Sequence, residues 1–326
     1  MLHAVRMGER RRPWVGVSEQ HAQVLALIDR VAPNSVELLF MGETGVGKEQ
    51  YARYAHERST RRERPFVPVN CGSIPADLFE NELFGHVGGA FTGARPSAMG
   101  LVAAAEGGTL FFDEVDALAP PNQVKLLRLL QEKEYRRLGE VRSHIADIRI
   151  LAATNRDLVR VSRAGLFRED LMFRLRVVPI SIPPLRERSD DVLPLMDAFV
   201  TWYAGEYGVP PIALAPATRD VLVHYGWPGN VRELENLVRN LTCVRPGELI
   251  EPSHLPLLET TTGKTGQTTG SFQRLKSTLV AEFERKYIED TLNAADGNIA
   301  RAARTAGKPR RAFFELMRKH GISARR

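Results

Sequence analysis

Residues 36–48 read VELLFMGETGVGK, an apolar run that leads straight into GxxxxGK and is followed by helical patterning. Glycines at 42, 45 and 47 let backbone N–H groups approach and wrap phosphate oxygens. The helix that follows offers its N-terminus to the anion, and Lys48 reaches the outer phosphates. A glycine turn set between a strand and a helix, with the lysine in place, is a phosphate-binding loop. The next residue is Glu49, where the general motif has a Ser/Thr hydroxyl for magnesium, so a metal there needs another carboxylate.

Outward from this loop, four more apolar runs alternate with helical segments: PFVPVNC (65–71), GTLFFDE (108–114), DIRILAATN (147–155) and VVPISIP (177–183). Runs that are continuous rather than alternating, with helices between them, predict an α/β fold whose parallel sheet is covered on both faces. A helix is expected over 122–134, where Val124, Leu126, Leu127, Leu129 and Leu130 make one stripe. The run LFFDE ends in Asp113-Glu114. Two acids at the end of an apolar strand are costly to bury without a cation, which assigns Asp113 to magnesium through water and Glu114 to activation of an attacking water.

After Pro184 the periodicity becomes helical, with LPLMDAFVTWY and VRELENLVRNL as the clearest pieces. Residues 260–270, TTTGKTGQTTG, have nothing to bury and read as a flexible linker. Helical patterning resumes at Phe272, Leu275, Leu279 and Phe283. Gly297 reads as a helix stop, Asn298 as the N-cap of a short helix over 299–306, and Gly307 and Pro309 punctuate a second helix ending near His320. Two short helices joined by a glycine-containing turn predict a helix-turn-helix. Ala302, Ala303 and Gly307 suit close helix packing. Phe313, Leu316 and Met317 pack inward in this reading, while Arg310, Arg311, Glu315, Arg318 and Lys319 face outward toward DNA, the first arginines to base edges and the last two residues to phosphates.

Composition supports this division. The 326 residues are 43% hydrophobic and 26% charged, as in soluble globular proteins. The net charge of +6 is uneven: residues 271–326 hold 13 Lys/Arg against 6 Asp/Glu, leaving −1 for the rest. A basic terminal module on a near-neutral body is what DNA binding by one end requires. Cys71 and Cys243, with no CxxC or Cys/His cluster, indicate neither a disulfide framework nor a zinc site, and both read as small buried residues. No apolar run has transmembrane length and the N-terminus lacks a signal-peptide pattern, so the cytoplasm is the expected location.

These features together resemble the AAA+ bacterial enhancer-binding proteins, transcription activators that remodel RNA polymerase carrying sigma-54. The resemblance runs from about residue 15 to 322 through GETGVGKE (42–49), VNCGSIPADLFENELFGH (69–86), GAFTGA (89–94), GGTLFFDE (107–114), ATN (153–155), FREDLMFRL (167–175), PPLRER (183–188) and WPGNVREL (227–234). It implies an AAA+ P-loop sheet with a helical lid and an all-α Fis-type helix-turn-helix domain. The implied bounds are a tail 1–14, α/β ATPase 15–188, lid 189–258, linker 259–271 and DNA-binding module 272–326.

The resemblance also implies roles. ATP is held by Gly42, Glu43, Thr44, Gly45, Val46, Gly47, Lys48 and Glu49, the last a residue the family shares. Asn70 matches a switch asparagine that holds the Glu114 counterpart. Thr154 and Asn155 match the polar sensor, and Arg232 matches a second sensor carried by the lid. Arg168 and Arg174 match arginine fingers offered to a neighbouring subunit, which implies a homo-oligomeric ring, most simply a hexamer. Gly89, Ala90, Phe91, Thr92, Gly93 and Ala94 match the loop that contacts sigma-54, inside a span of 64 residues between Lys48 and Asp113. The two residues before it, Val87 and Gly88, stand where the family usually has Glu-Lys, and Pro309 and Phe314 depart from the commoner recognition-helix pattern.

Double-stranded DNA with an inverted repeat is the implied DNA partner, since one module covers a half-site. The few residues before the ATPase part leave no room for a receiver or ligand-sensing domain. A separate regulatory protein is one explanation, and a chain lacking its sensor is the other. A nucleotide-gated DNA-binding regulator that acts without remodelling sigma-54 remains a second reading. A replication or chelatase-type AAA+ motor explains neither GAFTGA nor the helix-turn-helix.

Overall fold

The computed structural model describes residues 13–89, 97–255, 288, 291, 292, 299–306, 313 and 317. Five strands, β1 (Leu38–Met41), β2 (Phe66–Asn70), β3 (Thr109–Asp113), β4 (Arg149–Thr154) and β5 (Val178–Ser181), form one parallel sheet in the order β2-β3-β4-β1-β5. They are the five apolar runs of the sequence. All six residues of β4 are buried, because that strand lies in the middle of the sheet with both faces covered.

Alternate side chains of the strands feed two cores. Leu39, Leu110, Phe112, Ile150 and Ala152 pack on one face with Phe79, Leu83, Leu126, Leu130 and Leu171. On the other, Leu38, Phe40, Phe111, Leu151 and Ala153 pack with Val24, Ile28, Tyr51 and Ala55. Those partners come from helices α1 (Glu19–Val31), α2 (Lys48–Glu57), α3 (Phe79–Phe84), α5 (Pro120–Glu132) and α7 (Glu169–Leu175), and the short α4 (Leu101–Ala104) and α6 (Leu158–Arg163) add Val102, Leu158 and Val161 to the first core. Helix α5 begins two residues before the sequence expectation, since proline fits a first turn that needs no N–H. It stops at Lys133, which takes a left-handed C-cap.

Between α3 and α4 the chain makes a narrow ribbon, Gly85–His86 paired antiparallel with Ala98–Met99. The root of this ribbon is closed to side chains. A Cβ on Gly85, whose φ is 77°, would lie 2.3 Å from the Ala98 carbonyl oxygen, and one on Gly100 would lie 2.3 Å from the Phe84 carbonyl carbon. Gly89 follows at φ 78°, and Ala90, Phe91, Thr92, Gly93 and Ala94 lie outside the described residues.

The lid comprises α8 (Val192–Tyr207), α9 (Pro216–His224) and α10 (Asn230–Val244). Leu195, Met196, Phe199 and Tyr203 of α8 and Leu234, Leu237, Val238 and Leu241 of α10 are among its buried residues, with Trp227 donating its indole N–H to the Leu222 carbonyl at 2.9 Å. Cys243 corrects the sequence reading: it is exposed, because it falls off the buried stripe of α10, whereas Cys71 is buried.

A buried ionic group joins lid and sheet. Arg188, 3% exposed, donates to the Val46 carbonyl (2.8 Å) and the Tyr51 hydroxyl (3.2 Å) and lies 3.6 Å from the carboxylate of Asp191. Asp191 accepts the N–H groups of Val17 (2.6 Å) and Ser18 (2.7 Å) and the Ser18 hydroxyl (2.9 Å). Ser18 in turn caps α1 by accepting from His21 N–H.

Residues 257–326 form a separate compact unit. Its described core is Ile288, Leu292, Ala302, Ala303, Phe313 and Met317, around the helix Ile299–Thr305. Phe313 and Met317 are buried, as the helical spacing requires. Leu316, the linker and the outward set Arg310, Arg311, Glu315, Arg318 and Lys319 lie outside the described residues.

Replacing Asp191 with alanine would leave the Arg188 guanidinium buried without its carboxylate. Asp191→Ala is expected to lose about 3–5 kcal/mol, read as a lower urea midpoint, with Asp191→Asn losing less.

Candidate functional site

The loop 42–47 leaves β1 with Gly42 N–H donating to the Thr154 carbonyl at 3.3 Å and runs into α2. Gly47 is the N-cap of α2 at φ 97°, and no side chain caps the helix, so its first-turn N–H groups are open to an anion. A Cβ on Gly47 would meet nothing within 4 Å, so glycine is needed there for its backbone angle. At Gly45, whose φ is 83°, lack of space adds to the angle: a Cβ would lie 2.3 Å from the Gly229 carbonyl oxygen of the lid.

Lys48 is 8% exposed and curls over the loop, its Nζ donating to the carbonyls of Gly42 (2.9 Å) and Glu43 (3.0 Å). Burial pulls its pKa down, while Asp113 and Glu114 pull it up. Asp113 ends β3 with Oδ1 accepting the Glu114 N–H at 2.9 Å. Burial holds its pKa above the usual carboxylate range, against the pull of that N–H and of Lys48. Among the described residues no three His, Cys, Asp or Glu gather as a metal cage. One partly buried carboxylate beside a phosphate-binding loop suits magnesium, which keeps waters and takes phosphate oxygens for most of its ligands.

Glu114 adopts φ 53°, ψ 45°, a left-handed conformation rare outside glycine. Its carboxylate rests against Gly72, where a Cβ would lie 2.6 Å from Oε2 and 3.4 Å from Asn70 Oδ1. Asn70 pairs with Asp113 in register, and its Oδ1 accepts from the N–H groups of Gly72 (2.9 Å) and Ser73 (3.1 Å). Here, then, Asn70 builds the turn on which Glu114 rests, and no Asn70–Glu114 bond occurs among the described hydrogen bonds.

The other residues singled out from the sequence divide. Asn155 donates to the Thr44 hydroxyl at 2.9 Å. Thr154 is fully buried beneath the strand end and gives its hydroxyl to Asp116 at 2.6 Å, away from the loop. Arg232 lines the cavity together with Thr44, Gly45, Val46, Gly47, Lys48, Glu49, Asp113 and Glu114. Glu49 pairs with Arg53 one turn on, at 2.7 Å. Glu43 turns its carboxylate to the lid side, where Arg186 takes it in two bonds of 2.9 and 2.6 Å, and that contact, with Asn230, holds its pKa at about 2.

Arg168 and Arg174 are exposed and belong to no part of this cavity. Arg168 instead makes a two-bond pair with Asp170 at 3.0 and 2.7 Å. Sequence reasoning missed the apolar side of the cavity, made by Trp14, Val15, Leu195, Phe199 and Val231. Trp14 packs edge-on against His21 and Tyr51. Its only signal in the sequence was a tryptophan just before the first helical pattern.

A glycine-rich loop on the carboxyl end of a central strand, an acid pair on the next strand but one and a lid arginine over both define an AAA+ nucleotide-binding module. Residues 14–181 match the Sigma-54 interaction domain, residues 186–271 the AAA+ ATPase lid domain, and residues 279–319 the bacterial regulatory proteins of the Fis family. The chain belongs to the sigma-54 interaction family of AAA+ ATPases.

Over 304 residues it is 42% identical to the alginate biosynthesis transcriptional regulatory protein AlgB of Pseudomonas putida, covering 92% of this chain and 66% of AlgB. The transcriptional regulatory protein ZraR of Klebsiella oxytoca is 42% identical over 302 residues, 92% of this chain and 67% of ZraR. The chain thus spans about two thirds of these relatives. The crystal structure of NtrX from Brucella abortus in complex with ATP superposes with a TM-score of 0.74 at 32% identity, covering 96% of this chain and 70% of NtrX. Among the described residues no helix is long and apolar enough to cross a membrane.

The raised pKa of Asp113 has a measurable sign. Its ionised form is disfavoured in the fold, so the penalty is present above the folded pKa and fades as pH falls toward the unfolded value. Asp113→Asn is expected to raise the melting temperature of the nucleotide-free protein at pH 8, and the gain should vanish near pH 4.

Proposed function

We infer that the protein is an ATP-driven transcription activator that binds DNA upstream of its promoters, assembles as a ring and remodels the closed complex of sigma-54 RNA polymerase. The observation that carries the reading is the meeting of Lys48, Asp113, Glu114 and Arg232 at one cavity in a chain of the sigma-54 interaction family. The transcriptional regulators AlgB and ZraR and the ATP complex of NtrX support it.

In this reading Lys48 and the open N-terminus of α2 hold the outer phosphates, and the apolar side formed by Trp14, Leu195 and Phe199 takes the base. Asp113 would hold magnesium, which would supply charge neutralisation to the phosphates. Glu114 orients the attacking water and accepts its proton, and the turn built by Asn70 fixes where that carboxylate stands. Arg232 closes over the phosphates with the lid.

Arg168 and Arg174, exposed and outside their own cavity, serve that of a neighbouring subunit. The exposed apolar Leu166, Phe173 and Val177 around them fit burial in such a contact. A ring is the assembly such a head-to-tail contact makes when its rotation closes. The segment 89–94 then contacts sigma-54, the Fis-type module binds an inverted repeat, and the activator works in the cytoplasm.

Lys48→Ala and Glu114→Gln are expected to lower ATP hydrolysis by about 10²–10⁴-fold while a gel-shift with target DNA persists. Thr92→Ala should keep most of the ATPase activity and give no open complexes in transcription with purified sigma-54 polymerase. Normal transcription by that variant overturns the remodelling assignment. Mixing inactive Lys48→Ala with inactive Arg168→Ala subunits should restore part of the hydrolysis, since some interfaces then pair an intact loop with an intact arginine.

A further inference from the structure

Helix α10 opens on a side chain that the nucleotide-binding reading leaves unused. Asn230 is fully buried, and its φ of 52° is left-handed. Its side chain serves three partners outside its own helix. Oδ1 accepts the Leu185 N–H at 2.8 Å, and Nδ2 donates to Glu43 Oε2 and to the Thr44 carbonyl, both at 3.1 Å. Glu43 is held in turn by both terminal nitrogens of Arg186. One amide therefore pins the phosphate loop, the connection that leaves β5 and the first turn of the lid helix.

The backbone adds to the same junction. Arg232 N–H donates to the Gly45 carbonyl at 3.2 Å, and the Gly229 carbonyl closes the space over Gly45. Glycine would satisfy the backbone angle at 230 more easily than asparagine, so the side chain is what the position requires. Both faces of the amide are used, and a fully buried asparagine without such partners would be costly.

We propose that Asn230, with Glu43 and Arg186, is a latch that presets the phosphate loop and Arg232 in their working separation before nucleotide arrives. Asn230 is then a positioning residue, acting through the loop and through Arg232, which lies two residues further along α10 in the sequence. The latch rests on the reading of the cavity as an ATP site. Because it orders the empty site, its loss falls on affinity more than on the chemical step.

The test uses the full chain and Asn230→Gly, which keeps the backbone angle and removes the amide. Hydrogen exchange without nucleotide is expected to speed up by about tenfold at amides 43–48 and 231–234 and to stay unchanged in β3 and β4. The KM for ATP should rise about tenfold with kcat within about twofold. Glu43→Ala, altered at a more exposed position, should give the same pattern even if Asn230→Gly folds poorly. Glu43→Gln, which keeps an acceptor for Nδ2 but loses the charged pair, should raise KM by only about threefold.

Unchanged exchange in both segments overturns the latch. So does exchange raised throughout the sheet, with kcat and the urea midpoint falling at constant KM, which is the signature of a merely structural residue. A wild-type protein that hydrolyses no ATP refutes the reading of the cavity, and the exchange measurement then still decides the latch.

Discussion

A guanidinium taken out of water must be met by acceptors on several sides, and Arg188 meets them from three elements of the chain. The Val46 carbonyl belongs to the phosphate loop, the Tyr51 hydroxyl to the helix after it, and Asp191 to the start of the lid. Asp191 in turn fixes the segment before α1 through Val17 and Ser18. The cavity is therefore bounded by pieces distant in sequence that share one buried charge, and removing either member leaves the other uncompensated. Hydrophobic packing builds the two sheet faces, but this pair sets where the lid stands over them.

The cavity combines two kinds of rigidity. Its anion side is backbone: a left-handed Gly47, an uncapped helix and a lysine folded onto loop carbonyls. Its acid side is strained and desolvated, with Glu114 in a left-handed conformation and Asp113 held above the ordinary carboxylate range. Such arrangements persist where surrounding structure over-determines them. Here Gly72 admits no side chain beneath Glu114, and the turn made by Asn70 supports both.

Much of the sheet was legible because each strand is a short apolar run with a glycine, proline or acid at its end, and β4 is buried on both faces. The buried Phe313 and Met317 were legible from helical spacing alone. The direction of polar side chains was not. Glu43 looked like part of the phosphate loop, yet its carboxylate is spent on Arg186 and on Asn230, 187 positions away. Thr154 stands at the right strand end but is fully buried and bonded to Asp116. Motifs fix the backbone and leave a side chain's partner to whatever the folded chain brings near. Trp14 and Phe199 share the cavity for the same reason, and Cys243 came out exposed because one step around a helix separates a buried stripe from solvent.

The ribbon rooted at Gly85 and Gly100 has a consequence for how this protein can change over evolutionary time. Neither root glycine tolerates a Cβ, because backbone atoms stand 2.3 Å from where it would go. The close pairing at the root is thus made by main chain alone. His86, Ala98 and Met99 carry side chains at their places in the ribbon, whereas a single methyl at either root glycine would force its two arms apart. Constraint is thereby concentrated at two positions of the ribbon, where replacement of glycine by any other residue is closed.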